Sequence, residues 1–228
     1  MALTASSAPA ADPAAPSPGA AAPLTVGFDL DMTLIDSRPG IRATYLELSA
    51  RTGVWIDAEL AVSRLGPPLE HELAYWFPEE RIEEMVAAYR EMYPTHAIEP
   101  SLALPGAKDA IQAVRAAGGR SVVVTAKNEP HARLHVAHLG LEPDEVVGWL
   151  WAEAKAEALR AHGATVYVGD HLGDIRGARA AGALAVSVAT GPYDEEALRA
   201  AGADVVLPDL TAFPAWWAAY AERVAARA

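Results

Sequence analysis

Two aspartates one residue apart, Asp29 and Asp31, stand at the end of the apolar run Leu24 to Phe28, and Thr33 follows them. Carboxylates this close raise each other's proton affinity and are costly without a cation or a shared proton. A metal-assisted reaction at a phosphate would supply that reason, with one carboxylate as nucleophile or ligand and the other as proton donor. A solvated Asp-rich turn would read the same over five residues, so the rest of the chain has to decide.

Three more polar sets end apolar runs. Thr125 closes Val122-Val123-Val124, Lys155 follows the run Val146 to Leu150, and Gly169-Asp170-His171-Leu172-Gly173-Asp174 closes the run that begins at Thr165. Each has a plain reading of its own: a strand-end hydroxyl, a surface lysine, a helix N-cap. Their order and their repeated position at strand ends are what need explaining.

The elements that must position them are legible as an alternation. The β-rich runs Leu24 to Phe28, Ser121 to Thr125, Val146 to Leu150, Thr165 to Gly169, Ala183 to Val188 and a short edge run Asp204 to Leu207 are separated by segments rich in Ala, Leu, Glu and Arg. Those segments, 107–117, 130–139, 152–162, 174–181 and 194–201, carry apolar residues at helical spacing. Such alternation predicts an α/β fold, a doubly wound (Rossmann-like) parallel sheet whose ligands sit beyond the C-terminal strand ends. The interval from Ser37 to Leu104 breaks the pattern. It shows no convincing strand and reads as helices over 39–51, 57–63, 68–76 and 79–97. We expect residues 24–36 and 105–228 to form the core, residues 37–104 an α-helical cap above the Asp29 strand tip, and residues 1–23, almost wholly Ala, Pro and Ser, a disordered tail.

Composition narrows the function. A net charge of −12 with no basic run argues against a nucleic-acid partner. The absence of cysteine excludes disulfides, thiolate zinc sites and a cysteine nucleophile. No run approaches the roughly 18 uncharged apolar residues of a membrane span, and the first 23 residues lack the basic and apolar regions of a secretory signal. A cytoplasmic protein without a membrane partner is expected. His131, His135 and His138 fall at i, i+4 and i+7 on one helical segment, a spacing that can mimic a zinc face, but no acidic residue joins them at helical spacing. The tryptophans Trp149, Trp151, Trp216 and Trp217 read as packing residues.

In order and placement these residues resemble the haloacid dehalogenase-like superfamily, specifically its phosphatases with an α-helical cap inserted after the first strand. The Asp-x-Asp-x-Thr motif is matched by Asp29, Asp31 and Thr33, the second motif by Thr125, the third by Lys155, and Gly-Asp-x-x-x-Asp by Gly169, Asp170 and Asp174. Gly66-Pro67-Pro68-Leu69-Glu70, Asp36-Ser37 and Ala203-Asp204-Val205-Val206 are similar to the phosphoglycolate phosphatase-like branch. Ala126 departs from it, since many relatives carry Asn or Ser there.

The resemblance implies a Mg²⁺-dependent phosphomonoester hydrolase acting on a small-molecule phosphate ester, with phosphoglycolate a candidate. Asp29 is then the nucleophile and Asp31 the acid and base, titrating near working pH under the influence of its acidic neighbours. Mg²⁺ would be held by Asp29, the Asp31 carbonyl and Asp170, with Asp174 behind them or acting through water. Phosphoryl oxygens would meet Lys155, Thr125 and the backbone N–H groups of Leu30, Asp31 and Ala126. Arg64 and Arg38, near the cap hinge, are candidates to grip a second anionic group, and His171 a candidate substrate contact.

Three other functions compete. A phosphomutase keeps the same motifs and differs in excluding water. A dehalogenase has no leaving oxygen to protonate, so Asp31 argues against it. A phospho-accepting signalling module also sets Asp, Thr and Lys at strand tips, but it carries no cap. The sequence leaves the oligomeric state open.

Overall fold

The structure is a computed structural model that describes residues 24–226. The tail predicted for residues 1–23 lies outside the described residues. The strands are β1 (Thr25–Phe28), β2 (Ile35–Asp36), β3 (Leu102–Ala103), β4 (Arg120–Val124), β5 (Glu145–Val147), β6 (Ala164–Gly169), β7 (Leu184–Val188) and β8 (Val205–Leu207). The helices are α1 (Arg38–Thr52), α2 (Ala58–Ser63), α3 (Leu69–Leu73), α4 (Ile82–Ala97), α5 (Ala107–Ala116), α6 (Glu129–His138), α7 (Lys155–Ala161), α8 (Leu172–Ala181), α9 (Glu195–Ala200) and α10 (Phe213–Ala225).

Six strands form one parallel sheet in the order β5-β4-β1-β6-β7-β8. The chain leaves β1 for β4 and β5 on one side and returns to β6 on the other. Order therefore reverses at β1, and a crevice opens at its C-terminal end. The two-residue side-chain period assigns the faces. Val26 and Phe28 of β1 join Val123, Val166, Val168, Val186 and Val188 against α5 and α10. Val122, Val124, Tyr167 and Ala185 point the other way, against α7 and α8. Gly27 faces this second layer, where a Cβ would lie 2.6 Å from Leu159 and 2.7 Å from Tyr167, so only glycine leaves room for that tyrosine beneath the site.

Helices α1 to α4 lie between β2 and β3 and share their own core, including Ile41, Tyr45, Leu48, Leu73, Met85, Tyr89 and Met92. Gly40 lets α1 lie directly on the last turn of α4, since a Cβ there would come within 2.1 Å of the Ala97 carbonyl oxygen.

Three local expectations are corrected. The interval from Ser37 to Leu104 does contain strand: β3 lies at its end and pairs antiparallel with β2 just before it, Ala103 with Ile35 and Leu102 with Asp36, tying together the two crossings between sheet and insertion. Two-residue strands are too short to leave a periodic signal. The third run ends at Val147 rather than Leu150, because Gly148 lies against the Glu129 backbone and Trp149 turns into the left-handed region at φ 64°. The helix expected over 152–162 opens as a 3-10 turn, so Lys155 is the first residue of α7 rather than the fourth of a longer helix.

Candidate active site

Asp29 is the first residue beyond β1, and its N–H still donates to the Val168 carbonyl at 2.8 Å, as in a continuing strand. The chain then folds back: the Leu30 carbonyl accepts from the N–H groups of Leu34 (2.9 Å) and Ile35 (3.0 Å), and Met32 takes φ 58°. Leu30 anchors the turn with a side chain wholly buried in the sheet core. The turn turns Asp29 and Asp31 toward different partners.

Asp29 faces Lys155. That ammonium is 1% exposed and donates to Asp29 Oδ1 (2.9 Å), Asp174 Oδ1 (2.7 Å) and Tyr167 Oη (2.7 Å). Tyr167 in turn donates to the Val124 carbonyl at 2.7 Å, fixing the lysine through the sheet itself. Burial pulls the ammonium toward neutrality, but Asp174 and Asp29 outweigh it and hold Lys155 charged. Asp170 sits at the end of β6, where Thr33 donates to its Oδ1 at 2.8 Å. Asp174 Oδ2 accepts the His171 N–H at 3.0 Å within a capping box at the start of α8.

Asp29, Asp170 and Asp174 bring carboxylate oxygens within 4.8 Å of one another, all in buried residues. Burial, then the other carboxylates, push Asp170 well above its usual range; burial also pushes Asp29 up, to about 7, with Lys155 opposing. Three buried carboxylates sharing one ammonium are short of positive charge, and their all-oxygen donor set suits a hard divalent cation such as Mg²⁺. Both Asp174 oxygens already accept hydrogen bonds, so Asp29 and Asp170 are the better ligands and Asp174 serves by orienting Lys155.

Asp31 belongs to a second cluster. Its Oδ1 accepts from Ser37 Oγ at 2.5 Å and lies 3.0 Å from Lys127 Nζ. Lys127 also donates to Tyr93 Oη at 2.7 Å, and Tyr93 Oη is 3.0 Å from His135 Nε2. Tyr93 comes from α4, so this cluster joins the insertion to the core at the second carboxylate. Burial raises the Asp31 carboxyl, yet Lys127 and Ser37 outweigh burial and hold it below the ordinary range. The expectation that acidic neighbours keep Asp31 near working pH is therefore corrected: its nearest charge is a cation. Sequence reading passed over Lys127, though its place two residues past Thr125 was a usable signal. Thr125 is buried at the tip of β4 and accepts the Lys127 N–H at 3.2 Å.

A cavity of about 400 Å³ opens over these groups, lined by Asp29, Asp31, Thr125, Ala126 and Lys127 from the core and by Arg64, Glu70, Glu72 and Arg90 from the insertion. Arg64 thus reaches the site, but its guanidinium is forked on Glu72 at 3.0 and 2.5 Å. Arg38 does not. It is half exposed, paired to Asp36 at 2.8 Å, and lines a separate surface depression with Arg42 and Glu59. Helix α1 starts at Arg38, and Asp36 just before it holds the side chain outward. His171 also lies outside the cavity lining: its Nδ1 caps α8 through Gly173 N–H at 3.0 Å, and its ring packs on Trp151, Tyr193 and Gly66. His131 and His135 pack on Tyr93 rather than forming a metal face, with ring centroids 4.6 and 5.7 Å from it. Trp217 is buried as expected of a packing residue, whereas Trp149 lines the cavity half exposed.

The profile of the haloacid dehalogenase-like hydrolases matches residues 26–179, and a second hydrolase-like profile of the same group matches residues 148–213. Tyrosine-protein kinase PtkA of Mycobacterium tuberculosis is 32% identical over 191 residues, 78% of this chain; the chain spans only 65% of that protein's length. A phosphoglycolate phosphatase of Caulobacter vibrioides is 29% identical, with 80% of this chain and 86% of the relative covered. Pyrophosphatase PpaX of Halalkalibacterium halodurans is 31% identical, with 82% and 94% covered. Among solved structures, the haloacid dehalogenase-like protein SP0104 of Streptococcus pneumoniae superposes with a TM-score of 0.75 at 24% identity, over 86% of this chain and 98% of that one.

Proposed function

Since the chain belongs to the haloacid dehalogenase-like hydrolases, in the branch of the capped phosphoglycolate phosphatases, we propose that it is a Mg²⁺-dependent phosphomonoester hydrolase working through an aspartyl-phosphate on Asp29. The observation that carries this reading is the division of labour between the two aspartates: Asp29 lies against buried Lys155 and the acidic triad, Asp31 against Lys127 and Ser37.

An Asp29 oxygen attacks phosphorus as the bond from phosphorus to the leaving oxygen breaks, and Asp31 delivers a proton to that oxygen. The incoming phosphate dianion raises the proton affinity of Asp31 against the pull of Lys127. In the second displacement ionised Asp31 takes a proton from water, which attacks the phosphoenzyme and frees phosphate and Asp29. Thr125 holds a phosphoryl oxygen, joined by the backbone N–H groups of Leu30, Asp31 and Ala126, while Lys155, whose three N–H bonds go to Asp29, Asp174 and Tyr167, orients the nucleophile and offsets the phosphate charge from beneath it. Asp29, Asp170 and the Asp31 carbonyl would hold Mg²⁺, whose charge offsets the repulsion between carboxylate and phosphate dianion. The acidic balance fits a small-molecule ester rather than nucleic acid, and among the described residues no helix is long and apolar enough to cross a membrane.

The test is phosphate release from a panel of phosphomonoesters, phosphoglycolate first because relatives are named for it, with Mg²⁺ or EDTA. Wild-type release that needs the metal and falls at least ~10³-fold in Asp29→Asn is expected. Release that survives the substitution would remove the nucleophile assignment. Stable phosphorylation of Asp29 without turnover would favour the mutase.

A further inference from the structure

The cavity over Asp29 has a wall the hydrolysis of a phosphate group does not use. The two arginines that the insertion turns into it are both neutralised by carboxylates of that insertion. Arg64 is forked on Glu72, which is further fixed by Trp76 Nε1 at 2.9 Å, and Arg90 donates to Glu70 at 2.8 Å. His131, which also lines the cavity, is held neutral by burial, its pKa pulled down to about 4. A second anionic group on the substrate would have to displace Glu72 or Glu70 and then lie beside the displaced carboxylate. The wall also carries six aromatic side chains, Tyr45, Tyr75, Tyr89, Tyr93, Trp149 and Trp151, set among aliphatic residues and prolines with His71 and Asn128.

Trp149 is the least explicable of these as a packing residue. It holds φ 64°, a left-handed conformation that is an outlier for a bulky side chain, and 51% of the residue is exposed. Its backbone is nonetheless pinned to the loop that carries Thr125 and Lys127. Trp149 N–H donates to the Lys127 carbonyl at 2.9 Å, and Leu150 N–H to the Thr125 carbonyl at 3.0 Å. Across the mouth, Arg90 of α4 lies 4.5 Å from the indole centroid, and Arg64 lies 4.2 Å from the ring of Tyr75. Strain that leaves half of a large ring exposed at the cavity, held by hydrogen bonds to the catalytic loop, marks a side chain presented to a ligand.

We infer that the cavity selects phosphate monoesters whose leaving group carries a planar aromatic ring without a second anionic group, and that Trp149 is the residue that stacks on that ring. This rests on the hydrolase reading above and names its substrate class. A cavity of about 400 Å³ lies within the usual range for ring-bearing ligands. A two-carbon acid such as glycolate would leave most of it to water, with its carboxylate facing arginines already paired to Glu72 and Glu70.

The test compares benzyl phosphate with phosphoglycolate, both esters of primary alcohols, so that leaving-group chemistry differs little. The expected kcat/KM favours the ring ester at least ~10-fold, and Trp149→Ala lowers that ratio about 5- to 100-fold, the range of a lost ring stack. Trp149→Phe restores most of the ratio. Trp149→Gly removes the ring and also relieves the left-handed backbone, so it folds without strain and loses the preference as Trp149→Ala does. An equal or inverted ratio in the wild type, or a ratio unmoved by Trp149→Gly, overturns the inference and leaves the hydrolase reading intact. If neither ester is hydrolysed, the hydrolase reading fails only where the wider panel also releases no phosphate. Calorimetric binding of the same pair then decides: tighter binding of the ring ester that Trp149→Gly abolishes upholds the assignment, and equal affinity overturns it.

Discussion

Lys127 is the residue whose environment changes the chemistry most. A buried ammonium between Asp31 and Tyr93 does two things at once: it keeps the second aspartate ionised between turnovers, and it makes that state depend on a tyrosine from the insertion. Lys127→Met keeps the volume of the stem and removes the charge. Without the cation Asp31 holds its proton more readily, so donation to the leaving oxygen is spared and the ionised base of the second displacement is what is lost. We expect kcat to fall about 10-fold on the acid side of the pH profile, alike for alkyl phosphates and p-nitrophenyl phosphate, with the acid limb moved to higher pH. Steady-state kinetics across pH on the two ester classes checks this, and a loss with no movement of the acid limb would assign Lys127 to phosphate binding instead of to Asp31.

At the scale of elements, the site depends on how closely α1 and α4 approach, because α4 delivers Tyr93 and Arg90. That approach is narrow at Gly40, which lies against the Ala97 backbone. Gly40→Ala improves helix propensity but drives a methyl into a carbonyl that has no room to move. The clash should dominate, lowering stability by about 1–3 kcal/mol in urea unfolding. A stability equal to wild type would mean that α1 can shift on α4 without cost, and the Tyr93–Lys127 contact would then not be held by the helix pair. The β2–β3 pair belongs to the same scale, since it joins the two crossing strands where any movement of the insertion must pivot.

For the whole molecule, the balance of buried charge sets how stability depends on pH and metal. Asp29 is raised from 3.8 to about 7 in the fold, and Asp170 is raised as well. A carboxyl raised by folding contributes stability that is complete below its unfolded pKa and is lost as pH rises through its folded one. The metal-free protein should therefore lose stability between about pH 4 and pH 7, as these groups ionise without a partner. A divalent cation restores it only where they are ionised. Differential scanning fluorimetry should show Mg²⁺ raising Tm by at least ~3 °C more near pH 8 than near pH 5.5. An increment independent of pH would place the bound cation away from this triad.

Sequence alone determined the alternation of strand and helix, the position of the helical insertion and the four polar sets that end consecutive core strands. Those signals are local: side-chain period, breaker residues and motif order survive without any knowledge of what meets what. Tertiary structure decided the rest, because each remaining question concerned competition for a charge or a space among residues far apart in the chain. Lys155 is singled out only by its place in the motif order, and Lys127 draws no notice, until the carboxylates facing them are known. Arg64 and Arg38 read as free cations until Glu72 and Asp36 are seen to hold them. Trp149 read as core, and only the backbone turn forced by Gly148 against Glu129 and by the hydrogen bonds to Thr125 and Lys127 carries its ring out to the cavity mouth.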